Sequence, residues 1–247
     1  MYQTTTFYMS FNMEYTKQVF GAKEGVKYDD GLRAYMLSVY NYMTIGLGVT
    51  GLLAYAVANF PPLFNLIFGT PLQWVVMLAP LAMIFLVMPK MMSFSVEKAQ
   101  VTFYIFAGLM GLSLSSLFAA FTGESIARAL LVTASLFGSM SLYGYTTKRD
   151  LSAMGSFMIM GLIGVIIASL VNLFMQSSAM QFAISILSVI IFTGLTAYDT
   201  QRIKAIYYQV AGSSEIASKV AIYGALSLYM DFINLFIQML HLFGDRK

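Results

Sequence analysis

Hydrophobic positions run through this chain in blocks of about twenty residues, separated by short breaks rich in proline, glycine or charge. At a rise of about 1.5 Å per residue, twenty helical residues cover about 30 Å, the thickness of a bilayer's hydrocarbon. The blocks predict membrane-crossing helices at about 32–59, 71–91, 99–122, 125–147, 151–175, 178–204 and 217–243. The breaks agree with these limits: Pro61-Pro62 and Pro71 bracket the first connection, Thr122-Gly123-Glu124 the third and Lys148-Arg149-Asp150 the fourth. Residues 1–30 read as a cytoplasmic N-terminal tail, and residues 31–247 as one seven-helix transmembrane domain. A closed β-barrel also satisfies backbone groups in lipid, but it needs ten-residue alternating segments, which this chain lacks. The predicted class is an all-α membrane protein.

Composition sharpens that reading. Of 247 residues, 59% are hydrophobic and 10% charged, with a mean hydropathy of +0.75, whereas soluble domains are about a quarter charged. Zero cysteines exclude thiolate catalysis, thiolate metal sites and a disulfide framework. A net charge of +3 is too small to argue for nucleic acid, so the placement of the basic residues matters more than their sum. With the N-terminus inside, Lys17, Lys23, Lys27, Arg33, Lys90, Lys98, Lys148, Arg149, Arg202, Lys204 and Lys219 all lie on the cytoplasmic side. Only Arg128, Arg246 and Lys247 lie opposite. The positive-inside rule then implies an N-in, C-out chain with an odd number of crossings.

Small residues recur within the blocks: Gly46, Gly48 and Gly51; Gly108 and Gly111; Gly155, Gly161 and Gly164. In lipid such residues let helix backbones approach, so they predict a bundle rather than loose anchors. The 19 methionines are scattered without a Met-x-x-Met cluster and read as gap fillers, not soft-metal ligands.

Nine of the eleven acidic residues fall in tails, loops or helix ends; Asp199 and Asp231 lie inside apolar blocks. An aspartate near the centre of a membrane helix costs about 2.5–3.5 kcal/mol on insertion scales, so such groups face a bundle interior or an aqueous path. On a helical period, Gly224, Ser227, Asp231, Asn234 and Gln238 share one face of the last block. Gln181, Ser185, Ser188, Thr196 and Asp199 fall near one line on the block before it, interrupted by Phe192. Two striped helices in sequence can face each other across a polar seam. A plainer reading stands beside this one: Asp199 precedes Arg202 by three residues, and an ordinary ion pair at the interface would account for it. Asp231 as a neutral acid bonded to a neighbouring helix is the corresponding structural reading. The single histidine, His241, sits near the outer end of the last block and reads as an interfacial or satisfied side chain; a three-ligand zinc site has no material here.

If the two carboxylates meet, full charges about 4 Å apart at an effective dielectric of about 20 repel by about 4 kcal/mol. The pair would then titrate as a unit in the physiological range. A shared proton at low pH holds the helices together, and double ionisation at higher pH parts them or recruits a cation. Hard oxygen ligands select calcium or protons over copper or zinc, and two carboxylates fall short of the six to eight oxygens of a tight calcium site, which suits weak transit.

At these same residues the chain resembles the transmembrane Bax-inhibitor-motif proteins, also called the Bax inhibitor-1 family, in its bacterial inner-membrane branch. The resemblance rests on FAGLMGLSLSSLF in the third block, SLYGYTTKRDLSAMGSF across the fourth and fifth, GLIGVIIASLVNLF in the fifth, FTGLTAYDTQRIK ending the sixth and LSLYMDFINLFIQML in the seventh. It implies seven helices with the last one central, and a pH-sensitive calcium leak sensed by an aspartate pair that maps onto Asp199 and Asp231. Some bacterial members pair the sixth-helix aspartate with an arginine near the cytoplasmic end of the second helix. Here that region reads VMPKMMSFSVEKAQ, with Lys90 and Lys98 and no arginine. A lysine lacks the bidentate fork, so the latch is expected to be weaker, differently placed or supplied by Arg202. The connection AIYYQVAGSSEIASKV before the last block also reads as longer than in the calcium-leak members.

The expectation is therefore a multi-pass protein of the bacterial inner membrane, not an enzyme, acting as a pH-sensitive calcium leak channel. Asp199 and Asp231 form its weak transit site and sensor, with Arg202, Asn234, Ser227 and Lys90 in support. It needs no cofactor, calcium being the permeant ion; its partners are the lipid bilayer, calcium ions and protons. Two alternatives remain: a membrane regulatory or interaction protein, and an intramembrane aspartyl protease. For the protease, Tyr198-Asp199 matches one half of the signature, but the GxGD half is missing, because Leu228-Tyr229-Met230 precedes Asp231.

Overall fold

The computed structural model describes residues 30–210 and 212–247; apart from Asp30, the expected tail lies outside the described residues. Eight α-helices follow in order: α1 Asp30–Ala58, α2 Pro61–Phe68, α3 Leu72–Leu86, α4 Val96–Ala120, α5 Gly123–Thr146, α6 Ser152–Met175, α7 Ser178–Val210 and α8 Ser214–Phe243. A 3-10 helix, Met88–Ser93, joins α3 to α4. Among the described residues there is no strand, only an isolated bridge between Phe121 and Arg246. Six helices, α1 and α4 to α8, are long and apolar enough to cross a bilayer, and α2 with α3 passes the same test as a pair bent by 79°. The protein is thus an all-α membrane protein.

Local chemistry explains where the helices start. Ser95, Thr122 and Ser213 are N-caps whose hydroxyls accept from Lys98, Ser125 and Ile216 backbone N–H groups, each satisfying a donor that helix geometry leaves open. Pro61 and Pro62, expected in a connection, instead open α2, because the first turn needs no amide hydrogen from them. The expected long connection before the last block is also mostly helical. α7 runs to Val210 and α8 begins at Ser214, so the extra length belongs to helices that outrun the hydrocarbon; α7 alone, with 33 residues, is about 50 Å long.

Close contacts fix the register. Gly46 lies against Phe103, and Gly111 against Thr50 and Leu53, so α1 and α4 run parallel with a nearly constant offset. The intervening segment therefore returns the chain to the end where α1 began. Gly144 meets the backbone of Ala197, where an added Cβ would sit 2.1 Å from the carbonyl oxygen, and Gly155 seats the ring of Tyr198. Of the glycines expected to pack, Gly46, Gly111, Gly155 and Gly161 do so, and Gly108 has an ordinary contact with Leu53. Gly48, Gly51 and Gly164 have open space where a side chain would be.

α8 is the enclosed helix. Leu228, Tyr229, Leu235 and Leu240 on it are fully buried, and it packs against α1, α4, α5 and α7. The polar face expected on this helix is therefore one wall among several buried ones. Tyr229 ties three helices: its ring meets Phe103 and Phe106 edge-on, and its hydroxyl bonds to Thr50 Oγ1 at 2.7 Å.

Candidate functional site

The segment Tyr198 to Lys204 of α7 forms one wall of the site, and nearly every residue in it has an assigned neighbour. The Thr200 hydroxyl bonds to Ser141 on α5 at 3.0 Å, and Ser141 in turn bonds to Tyr40 on α1. Gln201 pins the α5–α6 turn, accepting from the Leu151 amide at 2.9 Å and donating to the Arg149 carbonyl at 2.8 Å. Ile203 packs on Gly224 of α8. Lys204 donates to the Tyr145 carbonyl at 2.8 Å, near the open end of α5, and lies over the Tyr145 ring. The Gln201 and Lys204 bonds satisfy backbone groups that helix ends leave free. They hold α7 in one register and one rotation, which decides where Asp199 points.

Asp199, Arg202 and Asp231 come together between α7 and α8. Arg202 Nη1 stands 3.7 Å from Asp199 Oδ1, and its Nη2 donates to Ser227 Oγ at 3.4 Å. The guanidinium also faces the Tyr198 ring, 5.9 Å from its centroid. Ser227 serves Asp199 as well. Ser227, which the guanidinium bonds, lies one turn before Asp231 on the same face of α8. Asp231 is buried at 5% exposure, and its Oδ2 has no protein hydrogen-bond partner, nor does Arg202 Nε. At 3.7 Å the ion pair is beyond hydrogen-bonding distance, so the arginine is held without the bidentate grip that makes such pairs rigid. The plain reading of Asp199 and Arg202 as an ion pair thus has its geometry. The pair is largely covered by protein, with side-chain exposures of 13% and 31%, and the second aspartate is beside it.

The other expected residues are placed differently. Asn234, one turn from Asp231, donates to the carbonyl of Met230 on its own helix. Lys90 stands exposed on the 3-10 helix. The ion pairs among the described residues join Arg128 to Glu124, Arg202 to Asp199 and Lys219 to Glu215, so the nearest cation to the aspartates is Arg202 rather than Lys90. His241 packs on Phe121 with ring centroids 6.2 Å apart. Sequence reasoning passed over Ser141, Thr200 and Gln201, which position α7. Their signal was polar residues within membrane-length helices, but their partners lie elsewhere in the chain and so could not be read off.

Comparison with known proteins adds the family. The model for the family described as inhibitor of apoptosis-promoting Bax1 matches residues 32–247. A Rickettsia prowazekii protein, RP147, is 46% identical over 235 residues, covering 95% of this chain and 99% of the relative. A Caulobacter vibrioides protein is 43% identical over 246 residues, covering 96% and 98%. The inner membrane protein YbhL of Escherichia coli K12 is 42% identical over 219 residues, covering 88% and 94%. With matches of this extent and several apolar helices of bilayer length, the chain belongs to the Bax inhibitor-1 family and is a multi-pass protein of the inner membrane.

Proposed function

We propose that this chain is a pH-sensitive calcium leak channel gated by Asp199 and Asp231. The observation that carries the reading is that consecutive helices, α7 and α8, bring an aspartate each toward one loosely held arginine in the protein interior, Arg202 reaching Asp199 on its own helix and Ser227, one turn from buried Asp231, on the next. In acid, a proton on the pair removes their repulsion and leaves Arg202 to bridge α7 and α8 through Asp199 and Ser227. As pH rises and both ionise, repulsion favours separation, and the two carboxylates with Ser227 offer hard oxygens to a calcium ion. That donor set is too small for storage, which suits a transit site. Arg202 is the charge latch in this scheme, standing where the resemblance suggested an arginine from the second helix.

We read the bent α2–α3 pair as one crossing, which makes seven. The parallel course of α1 and α4 supports this. The end carrying Lys148, Arg149, Lys204 and Lys219 is then cytoplasmic, and the end carrying Arg128, Arg246 and Lys247 lies outside. The chain conducts rather than catalyses: an aspartyl protease dyad shares a proton about a water, whereas Arg202 takes up one side of Asp199.

Purified protein in liposomes enclosing a calcium dye tests the gate. Flux is expected to rise from acid to neutral pH, and the double variant Asp199→Asn, Asp231→Asn is expected to lose that difference. A pH response identical in the variant removes the aspartates from gating.

A further inference from the structure

Buried side-chain atoms without a protein hydrogen-bond partner include Thr133 Oγ1 on α5, Ser188 Oγ on α7, and Gln238 Oε1 and His241 Nδ1 on α8. Contacts between these helices place the four at similar depth in the bundle. From the Ile203–Gly224 contact, Ser188 is fifteen residues back along α7 and Gln238 fourteen forward along the antiparallel α8, about 22 and 21 Å. From the Phe137–Phe232 contact, 5.5 Å between ring centroids, Thr133 is about 6 Å toward the start of α5 and Gln238 about 9 Å toward the end of α8. Thr133 belongs to the stripe of buried residues that α5 turns inward, with Ala129, Phe137 and Ser141. Ser188 lies three turns from Asp199 on the same side of α7, and Gln238 two turns from Asp231 on the same side of α8. Thr133 and Ser188 are both 0% exposed.

A hydroxyl shut away without a partner is costly, and natural proteins resolve such groups with buried water or an ion. Three oxygens and a ring nitrogen, from three helices within a few ångströms of one depth, are enough partners to hold water. We propose that α5, α7 and α8 enclose a hydrated chamber entered from the end where His241 lies. Its polar wall is Thr133, Ser188 and Gln238, and its floor is the Phe137–Phe232 ring pair beside Asp231. Water and small hydrated cations occupy it, and the aromatic floor separates them from the aspartate until the rings part, as in hydrophobic constrictions that gate by dewetting. The chamber rests on the channel reading only for what passes through it; whether it holds water is a separate question.

The natural chain has no cysteine, so single cysteines report without background. Thr133→Cys and Ser188→Cys, in the full chain in oriented vesicles, are exposed to a charged methanethiosulfonate reagent from each side. Leu235→Cys, fully buried, and Ile190→Cys, 55% exposed on the outer surface of the bundle, serve as dry and lipid-facing controls. Both test positions are expected to react at least about tenfold faster than the controls, and from the His241 side, because only a hydrated thiol yields reactive thiolate. Rates no faster than the controls, or reaction only from the Lys204 side, overturn the chamber. Thermal unfolding of Ser188→Ala and Thr133→Val provides a second reading. In a dry seam, removing an unpartnered hydroxyl raises Tm, which overturns the proposal; an unchanged or lower Tm agrees with hydroxyls bonded to water. Neither measurement reads flux, so a dry chamber leaves the aspartate gate standing, and absent calcium flux leaves the chamber standing.

Discussion

Among the six described helices long enough to cross a bilayer alone, α6 is the most apolar and also the least enclosed: 6% of its membrane-length stretch is buried inside protein, against 72% for α8. α8 is less apolar, carrying Ser227, Asp231, Asn234 and Gln238 across its middle. In water the ranking would be reversed, since apolar surface would drive α6 into the core. In lipid, tails solvate leucine as well as another helix does, so nothing drives an apolar face inward, and polar groups must find partners inside the protein. Between these two helices, the more apolar one faces lipid and the more polar one is enclosed. α6 packs closely on α7 at Gly155 and Gly161, and presents Phe157, Met160, Ile163, Leu173 and Phe174 outward.

Matched substitutions on enclosed and lipid-facing positions test this contrast, with unfolding measured in one detergent or lipid mixture. The largest effect is expected from Tyr229→Ala on α8, which opens a cavity among Phe103, Phe106 and Thr50. The cavity and the lost hydrogen bond together cost about 3 kcal/mol, while Phe157→Ala on α6, 66% exposed, stays within about 0.5 kcal/mol. Equal losses at both sites would mean that α6 has a protein neighbour in the folded state. Next comes a pair of glycines. Gly144→Ala drives a methyl into the Ala197 backbone and costs about 1–3 kcal/mol, whereas Gly164→Ala, with nothing within 4 Å, is neutral or slightly stabilising because alanine favours helix. A tolerated Gly144→Ala would show that α5 and α7 can slide apart at their closest point. The smallest effect belongs to the exposed Arg128–Glu124 pair: Arg128→Gln is expected to leave Tm unchanged, since such pairs contribute little in water.

The two acids show how far residue order carries the argument. Asp199 and Asp231 stand out in the sequence because a carboxylate in an apolar block is expensive wherever the helix turns, and the Arg202 spacing makes their local ion pair legible too. Their meeting was not legible in that way. It depends on Gly224 admitting Ile203 and Gly144 admitting the Ala197 backbone, which set how closely α7 approaches α8 and α5. Lys90 illustrates the limit from the other side: its place in the chain makes it a candidate partner, and the 3-10 helix after α3 leaves it exposed.

By itself the sequence determined that the chain crosses a membrane as helices, roughly where the membrane-length blocks begin and end, and which polar residues are too costly to face lipid, because block length, breaks and transfer energies are properties of consecutive residues. Only the tertiary structure decided which helix is enclosed, that α2 and α3 bend by 79°, that Arg202 rather than Lys90 attends the aspartates, and which glycines are contacts. Those outcomes turn on rotation and depth of one helix against another, and a single helix in lipid carries almost no preference for either until small residues and buried polar groups meet their partners.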